Sequence, residues 1–222
     1  MNYIKVNHLT KVINNNTVLD DINFELKQGG IYSFIGHNGS GKTMLFRALC
    51  GFIAPTSGEV TINGISISKT RSFPEKTGII IETPGFLANY TGYKNLEYLA
   101  SIRNQIGEKE ILAALEQVGL SGKENLKVKK YSLGMRQRLG IAQAIMEDPD
   151  LLIFDEPTNS LDKAGSQSFI DLILDLKEKG KTILLASHHI ADIDGISDEI
   201  FEMEAGQIIN RRKVWKKYLA ES

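Results

Sequence analysis

At 222 residues and 42% hydrophobic content, the chain is long enough to bury one substantial core and does not have the composition of a disordered polymer. Its 26 Lys and Arg against 27 Asp and Glu leave a formal charge of -1, which gives no general drive toward nucleic acid or anionic lipid. The single cysteine, Cys50, excludes an intramolecular disulfide and a Cys-rich zinc site, and its apolar neighbours suit a buried thiol.

The first residues, Met1 to Lys5, carry no basic region followed by an apolar run, so no signal peptide is expected. No apolar stretch approaches the ~18 residues of a membrane-spanning helix. Residues 3–26 predict strands around the polar turn Asn14-Asn15-Asn16. Ile31 to Ile35 is a short apolar strand stopped by a glycine-rich loop. Lys42 to Cys50 follows with helical spacing. Glu59 to Ile62 and Ile65 to Ile67 predict a hairpin about Asn63-Gly64. Gly78 to Ile81 suits a buried strand. Residues 93–146 are mostly helical in pattern, with runs near Asn95 to Ile102, from Lys109 to Val118, and up to Met146. The strand Leu151 to Phe154, a helix from about Lys163 to Lys179, and the strand Thr182 to Ala186 form a strand–helix–strand unit of a parallel sheet. Phe201 to Met203 and Gln207 to Asn210 close the pattern as a hairpin around Ala205-Gly206.

The most specific run is Gly36-His37-Asn38-Gly39-Ser40-Gly41-Lys42-Thr43, a phosphate-binding loop between a buried strand and a helix. Glycine lets the backbone curl its N–H groups toward phosphate oxygens, and the helix start adds a partial positive charge. Lys42 is expected to reach the β and γ phosphates, and Thr43 to offer its hydroxyl to magnesium. His37 stands at a variable position of the loop, where its backbone matters more than its ring. Leu151 to Phe154 run into Asp155 and Glu156. A buried strand ending in two acids needs a cation or a reacting group to meet them. Asp155 is expected to hold magnesium across from Thr43, and Glu156 to polarise an attacking water. The strand ending in Ser187-His188-His189 puts His188 at the same edge, where a neutral imidazole can hydrogen-bond a phosphate or the water.

With these pieces in order, the chain resembles the ATP-binding cassette family, the nucleotide-binding domains of ABC transporters, over about residues 3–210. The element most specific to that family is Tyr131-Ser132-Leu133-Gly134-Met135-Arg136-Gln137-Arg138, which looks like the family signature, usually Leu-Ser-Gly-Gly-Gln; Leu133 and Met135 depart from the common form. The resemblance implies an α/β fold: a P-loop core with a parallel central sheet, an antiparallel β part near the N-terminus, and a helical subdomain inserted at about 86–146. It implies ATP and magnesium as ligands, and Ser132 and Gly134 contacting phosphate held by a second nucleotide-binding copy, identical or not. It also implies a separately encoded membrane-spanning permease touching the region from Glu82 to Tyr98, and a cytoplasmic location at the inner membrane face. Ser160-Leu161-Asp162 matches the segment that communicates between the two sites, and His188 matches the switch histidine.

Two departures stand out. Family members usually have a glutamine near magnesium where this chain has Glu82; glutamate there is also known among bacteriocin and lantibiotic immunity transporters. The aromatic residue that stacks on adenine is replaced by Ile13, which forgoes about 0.5–1.5 kcal/mol of stacking. Arg211, Arg212, Lys213, Lys216 and Lys217 make the tail, about 211–222, basic, suiting a solvated face or an anionic leaflet. Two alternatives stay open on sequence alone: a soluble cassette protein acting on ribosomes or nucleic acid, and a module that holds ATP without turnover. No direct nucleic-acid contact is expected, since no recognised binding module appears.

Overall fold

Period-two burial and two asparagines build the first layer of the fold. The structure, a computed structural model, describes residues 2–82, 85–188, 193 and 195–214. His189 and the basic tail residues Lys216 and Lys217 lie outside them. β1 (Asn2–Ile13) and β2 (Asn16–Lys27) are antiparallel and turn at Asn14 and Asn15. Both asparagines take positive φ, 48° and 64°, a conformation their short polar side chains tolerate. β1 also pairs with β4 (Ser57–Ile62), which turns through Asn63-Gly64 into β5 (Ile65–Ser66). The sheet order is β2-β1-β4-β5.

The expected strand through Ile67 is corrected here. Ile67 opens a one-turn helix, α2 (Ile67–Thr70), with its side chain buried. Local hydroxyls favour the turn over further pairing: Ser68 Oγ accepts from Val60 N at 2.7 Å, and Thr70 Oγ1 donates to the Ser66 carbonyl at 3.0 Å.

The second sheet comprises β3 (Ile31–Ile35), β6 (Thr77–Ile80), β7 (Leu151–Asp155), β8 (Thr182–Ser187), β9 (Glu199–Glu204) and β10 (Gln207–Lys213). Its order is β10-β9-β3-β8-β7-β6, with parallel pairing from β9 through β6 and an antiparallel β10. The inner strands are buried on both faces, as their unbroken apolar runs require. Alternate side chains therefore feed two cores. Ile31, Ile35, Leu152, Phe154, Ile183 and Leu185 face the helices that follow; Tyr32, Phe34, Leu151, Ile153, Leu184 and Ala186 face the antiparallel sheet and α1 (Lys42–Leu49). Phe34 anchors the second core, stacked on Phe201 with ring centroids 4.9 Å apart.

Helices α3 (Gly92–Arg103), α4 (Glu108–Gln117) and α5 (Leu133–Ile145) fall within 86–146, and α6 (Lys163–Glu178) joins β7 to β8. Short side chains set three of the starts. Thr91, Ser132 and Asp162 accept from the N–H groups of Lys94, Met135 and Gly165, at 3.1, 3.1 and 2.8 Å. α3 thus begins at Gly92, earlier than the apolar spacing from Asn95 suggested. Among the described residues no helix is long and apolar enough to cross a membrane.

Gly78 shows how tightly α5 seats on the sheet. A Cβ there would stand 1.8 Å from the Ala144 carbonyl oxygen. Gly78→Ala must push strand and helix apart, so a loss of about 1–3 kcal/mol or more is expected in denaturant unfolding. Wild-type stability in that variant would mean that the helix does not pack this closely.

Candidate functional site

Parallel strands place their carboxyl ends on one edge of the sheet, and ligands of open α/β sheets bind beyond that edge. Here β3 ends at Ile35 opposite Ser187, and Asp155 lies opposite Ala186. The loop after β3, the acids after β7 and His188 after β8 are thereby gathered from distant parts of the chain.

The loop turns at once after Ile35. A Cβ on Gly36 would stand 2.2 Å from the Met203 carbonyl and 2.7 Å from Ser40 Oγ, so only glycine fits. Ser40 N donates to the His37 carbonyl at 3.1 Å, and the Ser40 carbonyl accepts from Gly206 N at 3.0 Å, tying the curl to the β9–β10 turn. Gly41 stands at the N-cap of α1 without any side-chain cap. The N–H groups of the first helical turn, Lys42, Thr43 and Met44, have no carbonyl within the helix to bond. They line a cleft of about 560 Å³ with Asn38, Gly39, Asp155 and Glu156.

Lys42 is 5% exposed. Its Nζ donates to the carbonyls of Gly36 at 2.6 Å and His37 at 3.1 Å, and stands 3.9 Å from Glu156 Oε1. Burial lowers its pKa, while Glu156 and then Asp155 pull it back up. Thr43 Oγ1 donates to Asp155 Oδ2 at 2.5 Å. Burial raises the Asp155 carboxyl; the Thr43 hydrogen bond opposes this, Glu156 adds to it, Lys42 opposes it and Glu82 adds a little more. Asp155 Oδ1 and Glu156 Oε1 are buried without a hydrogen-bond partner. Such orphaned oxygens are costly in a finished core, and the residues that carry them line the cleft.

Glu156 takes a left-handed backbone, φ 50°, with its N–H held by the Ala186 carbonyl at 3.0 Å. This conformation is strained by order ~1 kcal/mol for a residue with a Cβ, and such strain clusters at functional sites. It sets Glu156 Oε2 2.8 Å from His188 Nδ1. With the proton on Nδ1, the imidazole donates and fixes the carboxylate.

The oxygens present suit magnesium, a hard cation that takes one hydroxyl, one carboxylate and phosphate or water oxygens. Thr43 and Asp155 are in contact, and Asp155 keeps one oxygen without a partner. No cluster of three or more His, Cys, Asp and Glu that could hold a metal ion is formed among the described residues. Glu82 is placed differently from Thr43 and Asp155. Its carboxylate pairs with Arg47 Nη2 at 2.5 Å and is 61% exposed.

Ile13 lies at the open end of β1, 38% exposed and outside the residues that line the cleft. The walls there are Thr17, Val18, Ala205 and Gly206, none of which the sequence marked as a site residue. Ser132 and Gly134 start α5, also away from this cleft. A Cβ on Gly134 would stand 3.0 Å from the Ser160 carbonyl, so the signature and the Ser160–Asp162 segment meet. Gln137, also unsuspected, donates to the Pro157 carbonyl at 3.0 Å, joining the signature helix to the chain just past Glu156.

A curled backbone amide cradle over a buried lysine, at the strand ends of a parallel sheet, defines a P-loop nucleotide-binding protein. The chain belongs to the ABC transporter family, which it matches over residues 19–159, and it is of the ATP-binding kind. It is 46% identical over 211 residues to the ABC transporter ATP-binding protein YybJ of Bacillus subtilis, covering 95% of this chain and 97% of that one. It is 40% identical to the bacitracin transport ATP-binding protein BcrA of Enterococcus faecalis, over 93% of this chain and 68% of the relative. Among solved structures, the dimeric bacterial ABC transporter cassette MJ0796 superposes with a TM-score of 0.86 at 25% identity, covering 96% of this chain and 99% of that one.

Proposed function

We propose that the chain hydrolyses magnesium-bound ATP and thereby drives a separate membrane-spanning partner. The observation that carries this is the contact of Thr43 with Asp155 beside Lys42, one residue from the Glu156–His188 pair. Loop amides and Lys42 hold the β and γ phosphates and stabilise charge that develops on them. Thr43 and Asp155 hold magnesium, which neutralises the phosphate oxygens when bound. Glu156 orients water and takes its proton, and His188 keeps Glu156 in place. Phosphate release should therefore rise with magnesium chloride and fall to background in EDTA, and turnover that ignores EDTA would rule the scheme out.

The second copy follows from where Ser132 and Gly134 lie. The start of α5 presents a helix N-terminus outside its own chain's cleft, where a second chain's nucleotide can meet it. The dimeric cassette structure supports that pairing. Exposed Leu87, Tyr90 and Tyr98 support a membrane partner that touches the region from Glu82 to Tyr98. The relative named for bacitracin transport supports the antibiotic-handling subfamily to which Glu82 points. A location at the inner membrane face follows from such a partner. Gentle solubilisation and affinity capture should recover a multi-pass protein with the chain.

A further inference from the structure

Two carboxylates line the cleft: Asp155 ends β7 and Glu156 follows it. A third, Glu82, lies outside that lining but near enough to Asp155 to act on its carboxyl. Glu82 follows β6, which pairs beside β7 with Ile80 opposite Phe154. Lys42 offsets one of these charges from within the loop. Another cation stands nearby on the same helix: Arg47, one turn beyond Thr43 on α1, with its guanidinium on Glu82. The helix that opens the phosphate cradle thus touches two neighbouring strand ends, Thr43 on Asp155 and Arg47 on Glu82. Glu82 takes a left-handed backbone, φ 66°, so its direction is set by local geometry as well as by the ion pair.

We propose that Arg47 is a positioning residue whose ion pair with Glu82 neutralises that carboxylate and holds it on the α1 side, so that it does not repel the incoming nucleotide. The inference rests on the nucleotide-binding reading above. ATP without a cation carries the full charge of its phosphates, and an unpaired acid past the neighbouring strand end opposes it. Magnesium lowers that charge, so the penalty of an unpaired Glu82 is largest without metal. Arg47 is 33% exposed and Glu82 61%, so solvent screens the pair and the effect is moderate.

The test is calorimetric titration of ATP into the full chain, in EDTA and at graded magnesium chloride. Arg47→Met should weaken metal-free ATP binding by about two- to fivefold and enlarge the gain from magnesium by the same factor. Glu82→Gln leaves Arg47 as an uncompensated cation and should shift metal-free affinity the opposite way. The double variant should return near wild type, and Arg47→Lys should resemble wild type. Thermal melts of all four verify folding, and Glu82→Gln decides the sign if Arg47→Met does not fold. Unchanged affinities in both single variants, or shifts of the same sign, would overturn the role of Arg47 alone. A wild-type chain that binds no ATP would overturn the nucleotide reading, and this proposal with it.

Discussion

Glu156→Gln is expected to bind ATP about as tightly as the wild type while releasing phosphate about 10²–10⁴ times more slowly. The substitution preserves length and shape and still lets the side chain hydrogen-bond His188 Nδ1. It removes the one property the proposed step needs, a carboxylate that accepts a proton from water. Glu156 is suited to that task by geometry. Its Oε2 is engaged by His188, while Oε1 is buried, without a hydrogen-bond partner, 3.9 Å from Lys42 Nζ. One oxygen is anchored and the other has no hydrogen-bond partner of its own. Binding should survive because the cradle is made of backbone amides and Lys42, none of which depends on this carboxylate for position. The left-handed backbone at Glu156 argues the same way: a strained conformation held by the Ala186 carbonyl is stored for the sake of aim. If two copies close over the nucleotide as proposed, nucleotide-bound variant should also accumulate as dimer. Single-turnover phosphate release, with ATP affinity measured alongside, separates the two effects. A variant that turns over at the wild-type rate would remove Glu156 from the chemistry and leave a binding module.

Much of this site was legible in the sequence because it is made of contiguous runs with fixed residue types. Gly36 to Thr43 is an unbroken stretch, and Asp155 and Glu156 sit at the end of an apolar strand whose burial makes acids conspicuous. The strands of the second sheet were legible for a related reason: a strand buried on both faces is apolar throughout. Other parts were not legible because the information is not local. Thr17, Val18 and Gly206 line the cleft only because the loop hydrogen-bonds the β9–β10 turn. Arg47 is one basic residue on a helix, and nothing in its neighbours announces that it reaches a glutamate 35 positions away. Gln137 has the same character, a polar residue on a helix whose amide meets a carbonyl 20 positions on. Ile67 was misplaced because an apolar residue after a turn fits strand and helix equally, and serine and threonine hydroxyls decided between them.

Lys42→Ala should lower ATP affinity by about one to two orders of magnitude and abolish measurable turnover, because a charged hydrogen bond is worth about 1.5–3 kcal/mol. The buried ammonium donates to the carbonyls of Gly36 and His37 and, at 3.5 Å, to Ser40 Oγ. These hold the side chain folded along the inside of its own loop, already desolvated. Burial has lowered its pKa, yet Glu156 and Asp155 favour the charged form, so the cation is kept where phosphate oxygens would arrive. A nucleotide therefore meets a pre-positioned charge and has no long side chain to immobilise on binding. Removing the ammonium has two consequences that a second variant can part. It withdraws charge from the phosphates, and it leaves two loop carbonyls without their donor. Lys42→Met fills the buried space that alanine vacates while still lacking the charge. If charge governs, both variants should lose affinity alike and melt close to wild type. If loop packing governs, methionine should recover much of the binding. Recovery in Lys42→Met would therefore show that the ammonium is a structural strut of the loop, and the electrostatic account of phosphate capture would have to be abandoned.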